Sequence, residues 1–298
     1  MLPEPVPGRL ILAATPIGDP EDAPPRLVRL LAEVDVVAAE DTRRLRRLAT
    51  ALGVTPRGRV LSYHDHNERE RGDELVAAVA GGATVLVVTD AGMPSVSDPG
   101  LRVVRAAVRA GLPVTAVPGP SAVLTALALS GLATDRFCFE GFLPRRAGER
   151  DRALSGLAGE ARTLVFFESA QRLAVTLAAM GERFGPDRPA AVCRELTKTH
   201  EEVRRGTLAE LAAWATGPVL GEVTLVVGGC PPVQAGPEDL PALVAQVRAR
   251  VAAGERVKRA VAEVAGAAGA SKRDLYAAVH RPDPDPDPDP DRDPDPAP

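Results

Sequence analysis

Residues 84–100 read TVLVVTDAGMPSVSDPG, and the fold can be read outward from them. A β-branched and apolar run from Thr84 gives way at Asp90 to Ala91-Gly92-Met93-Pro94. A short apolar run closed by Gly and Pro is a buried parallel strand ending in a loop, here with a carboxylate at its carboxyl end. In open α/β sheets ligands bind in the crevice beyond the carboxyl ends of the strands, so this loop is placed for chemistry.

The same pattern occurs five times in the first 120 residues. Leu10 to Ala14 leads into TPIGDPED, Val34 to Ala39 into EDTRR, Arg59 to Tyr63 into HDHNERE, and Val114 to Val117 into PGPSA. Helix-like segments lie between them at Pro25 to Ala32, Arg43 to Leu52, Glu70 to Ala80 and Leu101 to Ala110. Alternating strands and helices build a mostly parallel sheet, and right-handed crossovers bring all the strand ends to one edge. A structural turn does not need His64, Asp65, His66, Asn67 and Glu68 in a row, so that edge is expected to be a site.

Composition narrows the class. At 298 residues two domains are expected. No apolar run is long enough to span a membrane, and the opening residues lack the charged and apolar regions of a signal peptide. Cys138, Cys193 and Cys230 are widely spaced, which fits a reducing cytoplasm and offers no zinc or disulfide framework. The tail from Arg281 to Pro298 alternates Asp and Pro with seven Asp and two Arg, leaving the rest of the chain close to neutral. Such a tail is expected to be extended and disordered. The first loop, TPIGDP, is not GxGxxG, and no GxxxxGK[ST] occurs, so dinucleotides and simple nucleoside triphosphates are disfavoured as ligands.

ATPIGDPED, AAEDTRR, HDHNE, TDAGMPSVSDPG and VPGPSA, followed by DRFCFEGFLPRR and RELTKTHEE, occur in an order that resembles the 16S ribosomal RNA methyltransferases of the tetrapyrrole methylase superfamily. The resemblance covers about residues 8 to 230 and continues more weakly to about 280. It implies two α/β domains on a non-Rossmann scaffold with a cleft between them, S-adenosylmethionine as cofactor, no metal, and 2′-O-methylation of a cytidine ribose in 16S rRNA. By position it puts cofactor contacts at Ile17, Ala91, Gly92, Met93, Val96, Ser121, Ala122, Glu168 and Leu196. Gly92 and Ala91 would let backbone amides approach the ligand, and Ser121 would open a helix with free N–H groups. The family usually has Thr where Met93 stands, a lost hydroxyl, and Asn-Leu where Asp19-Pro20 stands, a loop closer to the tetrapyrrole enzymes. The alternatives are a tetrapyrrole C-methyltransferase on the same scaffold and a catalytically silent RNA-binding protein.

Methyl transfer to a ribose hydroxyl needs removal of a poorly acidic proton. Candidate bases are Glu40 or Asp41, His64 or His66, Asp90, and Glu195 or Lys198. His64 and Glu40 rank first, and Lys198 would need a depressed pKa. Glu40 and Asp41 could equally cap a helix.

From Asp135 the strands expected at Phe137 to Gly141, Thr163 to Glu168, Ala191 to Leu196, Glu201 to Gly206 and Gly221 to Val227 have shorter connections, so a mixed or antiparallel second sheet is expected. Helices follow TLVFFES as far as Met180 and span Leu208 to Ala215. Arg43, Arg44, Arg46 and Arg47, with Arg145 and Arg146, are candidate phosphate contacts. Aromatic residues are only 3% of the chain, so RNA recognition should rest on shape and backbone. After Pro237 three short helices, Leu240 to Ala252, Arg256 to Val264 and Lys272 to Val279, form a basic extension suited to nucleic acid or to supporting a homodimer. The expected organisation is an N-terminal domain over 8–119, a second over 120–232, the helical extension over 237–280 and the tail over 281–298.

Overall fold

The computed structural model of the chain describes residues 8–231 and 240–281. The two compact units are 1–230 and 231–298, and each is described by itself. The Asp-Pro tail lies outside the described residues.

Five parallel strands form the first sheet: β1 (Arg9–Ala13), β2 (Val36–Ala39), β3 (Arg59–Ser62), β4 (Thr84–Val88) and β5 (Val114–Val117). Their order is β3-β2-β4-β1-β5 and every pairing is parallel. The strands read as continuous apolar runs because both faces are covered. Leu10, Leu12, Val85 and Val87 face Leu75, Val79 and Val103 of α3 (Glu68–Ala80) and α4 (Leu101–Arg109). Ile11, Ala13, Leu86 and Val88 point the other way, onto Leu27, Leu31 and Leu45 of α1 (Pro25–Glu33) and α2 (Thr42–Ala51). Each such Leu or Val contributes about 1.5–3 kcal/mol on burial. Parallel pairing places all five carboxyl ends on one edge, as expected from the sequence.

The second sheet, order β6-β7-β10-β8-β9, is mixed. β6 (Phe137–Phe142) runs parallel to β7 (Thr163–Ser169), while β10 (Glu222–Val227), β8 (Pro189–Arg194) and β9 (Glu202–Thr207) pair antiparallel. One face, through Phe166, Val192 and Leu225, packs on α6 (Ala147–Leu157), α7 (Leu173–Phe184) and α8 (Leu208–Trp214). α6 was not expected from the sequence: with Gly148 and Gly156 in it and Leu154 its one buried residue, it carries almost no apolar stripe. The opposite face, through Val165, Ala191, Cys193 and Val226, packs on α5 (Ala122–Ser130) together with Ile17 and Leu196. This apolar cluster joins the two sheets and forms the floor of the cleft described below.

The C-terminal unit is three helices, α9 (Leu240–Ala252), α10 (Val257–Ala268) and α11 (Lys272–Val279), closed over Leu243, Val247, Val261, Val264 and Leu275. α10 runs four residues past the expected end, to Gly269 in the left-handed conformation that stops a helix. Ser271 caps α11 by accepting from the Asp274 amide at 3.3 Å. Among the described residues no helix is long and apolar enough to cross a membrane.

Candidate functional site

A cavity of about 350 Å³ opens between the two sheets, within the range of small-ligand sites. Two loops from the first sheet, after β1 and β4, the start of α5, and the ends of β6, β7, β8 and β10 line it. All nine positions named from the resemblance lie on its wall: Ile17, Ala91, Gly92, Met93, Val96, Ser121, Ala122, Glu168 and Leu196.

The loop after β4 is pinned to the loop after β1. Thr15 and Gly92 exchange both backbone hydrogen bonds, at 2.9 and 3.1 Å. The Gly92 amide is therefore committed to Thr15 and is not a ligand donor, a correction to the sequence-based expectation. Glycine is needed there because φ is +77°. Met93 both lines the cavity and packs against the first-sheet core. Ser121 caps α5 through the Leu124 amide at 3.5 Å, so the remaining first-turn amides face the cavity end of the helix. Asp19 caps a 3-10 turn at Pro20–Asp22 by accepting from Glu21 at 2.9 Å, and its amide donates to Thr197 Oγ1 at 3.1 Å. The unusual Asp19-Pro20 pair thus has a structural account: cap and first-turn proline.

Glu168 is 3% exposed and its carboxylate is engaged internally. It accepts from Thr176 Oγ1 at 2.7 Å and Ser169 N at 2.7 Å, and pairs with Arg172 at 3.4 Å. Arg172 also donates to the Leu143 and Pro144 carbonyls, so Glu168 supports the FLPRR loop and offers no free carboxylate to a ligand.

The three residues favoured for catalysis, His64, Glu40 and Lys198, are not on the cavity wall. His64 is half-buried, its backbone amide held by Asn67 at 2.9 Å, with its Nδ1 buried and without a hydrogen-bond partner among the described residues. Glu40 accepts from the Asp90 amide at 3.2 Å, and burial, followed by the charges of Asp90 and Asp65, raises its pKa against the lowering effect of that hydrogen bond. Asp41 is the helix cap: it accepts from the Arg43 amide at 2.8 Å and grips the Arg43 guanidinium, which holds its carboxyl well below the usual range. Burial works against the Lys198 ammonium, but hydrogen bonds to Glu195 and Glu222, both 2.9 Å, outweigh it and its pKa is raised. Lys198 therefore stays protonated, the opposite of what a lysine base requires.

Sequence reasoning missed the acidic and aromatic parts of the wall. Asp98, Glu222, Phe142 and Phe167 line the cavity. Phe142 is 58% exposed; a bulge between Phe139 and Gly141 turns it toward Phe167, with ring centroids 5.5 Å apart. Burial first, then the charges of Glu40, Asp90 and Asp65, push the Asp98 carboxyl up to about 7. The SDPG run that carries Asp98 was legible, but its nearness to those carboxylates depends on three different strand ends. The carboxylates do not form a metal-holding cluster among the described residues. Among the described residues, four non-glycine residues, Ser95, Ser97, Glu195 and Thr197, have positive φ, and all lie in the loops that frame this cavity. Such strain concentrates where a ligand is held.

Of the candidate phosphate contacts, Arg43 is tied to Asp41 and Arg44 to Asp90 at 3.4 Å, while Arg46, Arg47 and Arg145 are exposed without an ion pair among the described residues. Arg146 pairs with Glu149. In the C-terminal unit Lys258, Lys272 and Arg273 line one groove beside Tyr276.

With this geometry in hand, comparison with known proteins is informative. The family model for Tetrapyrrole (Corrin/Porphyrin) Methylases matches residues 9–212. The chain is 57% identical over 273 residues to Ribosomal RNA small subunit methyltransferase I of Mycobacterium bovis, covering 91% of this chain and 94% of that protein. It is 45% identical to the protein of the same name from Mesorhizobium japonicum, over 90% of each. Among solved structures it is similar to uroporphyrin-III-C-methyltransferase from Thermus thermophilus, with a TM-score of 0.52 and 25% identity over 74% of this chain and 94% of that one.

Proposed function

Since the chain belongs to the tetrapyrrole methylase family, and within it to the ribosomal RNA small subunit methyltransferase I proteins, we propose that its cavity takes S-adenosylmethionine and methylates the 2′-hydroxyl of a cytidine in 16S rRNA. The observation that carries this reading is the convergence of nine positions, from five separate stretches of chain, on one cavity wall. The cavity fits the cofactor chemically. Its floor of Ile17, Val123 and Leu196 is apolar, with Ser121 and the first turn of α5 as polar groups beside it, the mix expected of a small-ligand site. Bound there, the cofactor supplies an electrophilic methyl group.

The protein's own residues then bind, orient and exclude water. The α5 N-terminus and Ser121 offer polar contacts, and the Thr15–Gly92 bridge ties together the two loops that carry Ile17 and Ala91 to Asp98. Lys198 neutralises Glu195 and Glu222 at one side. The FLPRR loop, held by Arg172, presents Arg145 for the RNA backbone, and Lys258, Lys272 and Arg273 form a second phosphate-binding patch on the C-terminal unit. The enzyme works in the cytoplasm, where its substrate is, as a homodimer.

The test is incubation with labelled methyl donor and 30S particles from a strain lacking the modification, with a porphyrinogen as the parallel acceptor. Label in the 2′-O-methylcytidine of 16S rRNA is expected. Label in the porphyrinogen alone would overturn the reading, as would a monomeric enzyme of full activity for the dimer.

A further inference from the structure

We propose that Asp98 is the catalytic base that takes the proton of the acceptor ribose hydroxyl, an assignment that rests on the methyl-transfer reading above. Three carboxylates line the cavity: Asp98, Glu168 and Glu222. Glu168 is consumed by Thr176, Ser169 and Arg172, and Glu222 by Lys198. Among the described residues Asp98 has no hydrogen bond and no ion pair, so its oxygens alone are free for a substrate proton.

Its loop is built to hold it still. Ser95 donates from its amide to the Pro99 carbonyl at 3.2 Å, and Ser95 and Ser97 are held at φ of +75° and +61°. A left-handed backbone costs about 1–2 kcal/mol at each such residue, so the loop keeps this shape only because its surroundings impose it. Behind Asp98, the Gly100 amide donates to Glu68 at 3.0 Å, which clamps the loop to the first turn of α3. At Gly100, with φ of +143°, a Cβ would come within 2.6 Å of Ser95 Oγ.

The charged groups facing Asp98 are Glu40 after β2, Asp65 after β3 and Asp90 after β4, with Arg44 drawing charge from Asp90. Across the cavity Glu168 and Glu222 have their charges taken by Arg172 and Lys198. Burial and the neighbouring carboxylates push Asp98 up to about 7, matched to accepting a proton at neutral pH. In the transfer step the ribose O–H bond breaks and its proton passes to the Asp98 carboxylate. The ribose oxygen forms the new bond to the methyl carbon, and the electron pair of the breaking sulfur–carbon bond returns to sulfur, leaving a neutral thioether. Asp98 then releases the proton to water.

The experiment compares full-length wild type, Asp98→Asn and Asp98→Glu in single-turnover methylation of 30S particles across the neutral pH range, with donor affinity measured by calorimetry. Asp98→Asn is expected to lower kcat by about 10²–10⁴ with a near-normal donor Kd, which also reports that the variant is folded. Wild-type kcat should rise through neutral pH, Asp98→Asn should lose that dependence, and Asp98→Glu should restore part of the rate. An Asn variant turning over near the wild-type rate, or keeping the wild-type pH profile, would overturn the assignment. So would a defect confined to donor affinity. Wild type that binds the donor yet never labels RNA sinks the methyl-transfer reading itself.

Discussion

Glu68 offers the most stringent check on how the Asp98 loop is held. The residue is 8% exposed. Its Oε1 accepts from the Tyr63 phenol at 3.1 Å, the Gly100 amide at 3.0 Å and the Arg102 amide at 3.4 Å, while Oε2 pairs with Arg102 at 3.1 Å. Burial, together with the Glu68 charge, holds the Tyr63 phenol well above its ordinary value, so it remains a donor at working pH. Glu68→Ala strands the buried phenol and the Gly100 amide, each costing about 1–3 kcal/mol. The Arg102 side chain is 68% exposed, so its ion pair adds at most about 1 kcal/mol. The expected total is about 2–7 kcal/mol, or a fall in melting temperature of roughly 10 °C. Glu68→Gln keeps the volume and one acceptor and should cost about 1–2 kcal/mol. Urea unfolding measures both, and methylation of 30S particles should show the Ala variant losing kcat as the loop is released. An Ala variant within about 1 kcal/mol of wild type, with unchanged kcat, would show that Glu68 does not clamp the loop.

Three further outcomes are expected. The raised Asp98 pKa means the folded state holds the proton where the unfolded chain has released it, so wild-type stability falls as pH rises from about 4 through about 7; Asp98→Asn removes this loss and should melt higher than wild type at pH near 8, with the gain vanishing near pH 4, as scanning calorimetry at the two pH values would reveal. Lys198→Arg, which preserves a cation beside Glu195 and Glu222, should keep turnover within a few fold, whereas Lys198→Ala should lose about tenfold or more; equal loss in both would instead indicate that the amine itself takes part. A Cβ at Gly18 would meet the Leu196 carbonyl at 2.7 Å and Thr197 Oγ1 at 2.5 Å, so Gly18→Ala should force the first loop off the RELTK loop and weaken donor binding by about tenfold; calorimetry showing unchanged affinity would refute that fit.

The first sheet was almost fully legible because its strands are continuous apolar runs ended by Gly, Pro or charge, so local chemistry and topology agree. β5 was read at its observed bounds, Val114–Val117, and the strand before TDAGMP within two residues. The nine positions found on the cavity wall were legible for a different reason: the resemblance to a known family assigned them by their place in its motifs. α6 was missed because its helix has little apolar face, and the bulge that aims Phe142 has no local signature.

What the sequence by itself determined is the set of strand ends on one edge and the loops that follow them, since hydrophobic period and turn chemistry act over a few residues. What only the tertiary structure decided is the charge state of the groups in those loops. Glu40, Asp65 and the pair Asp90 and Asp98 follow three different strands, and their mutual repulsion, with burial, exists only once parallel pairing has brought those ends together. Lys198 lies in as suggestive a motif as any, yet two carboxylates from elsewhere in the fold hold it protonated. Electrostatic coupling falls with distance in space and is blind to distance in sequence, and for that reason the base had to be found in three dimensions.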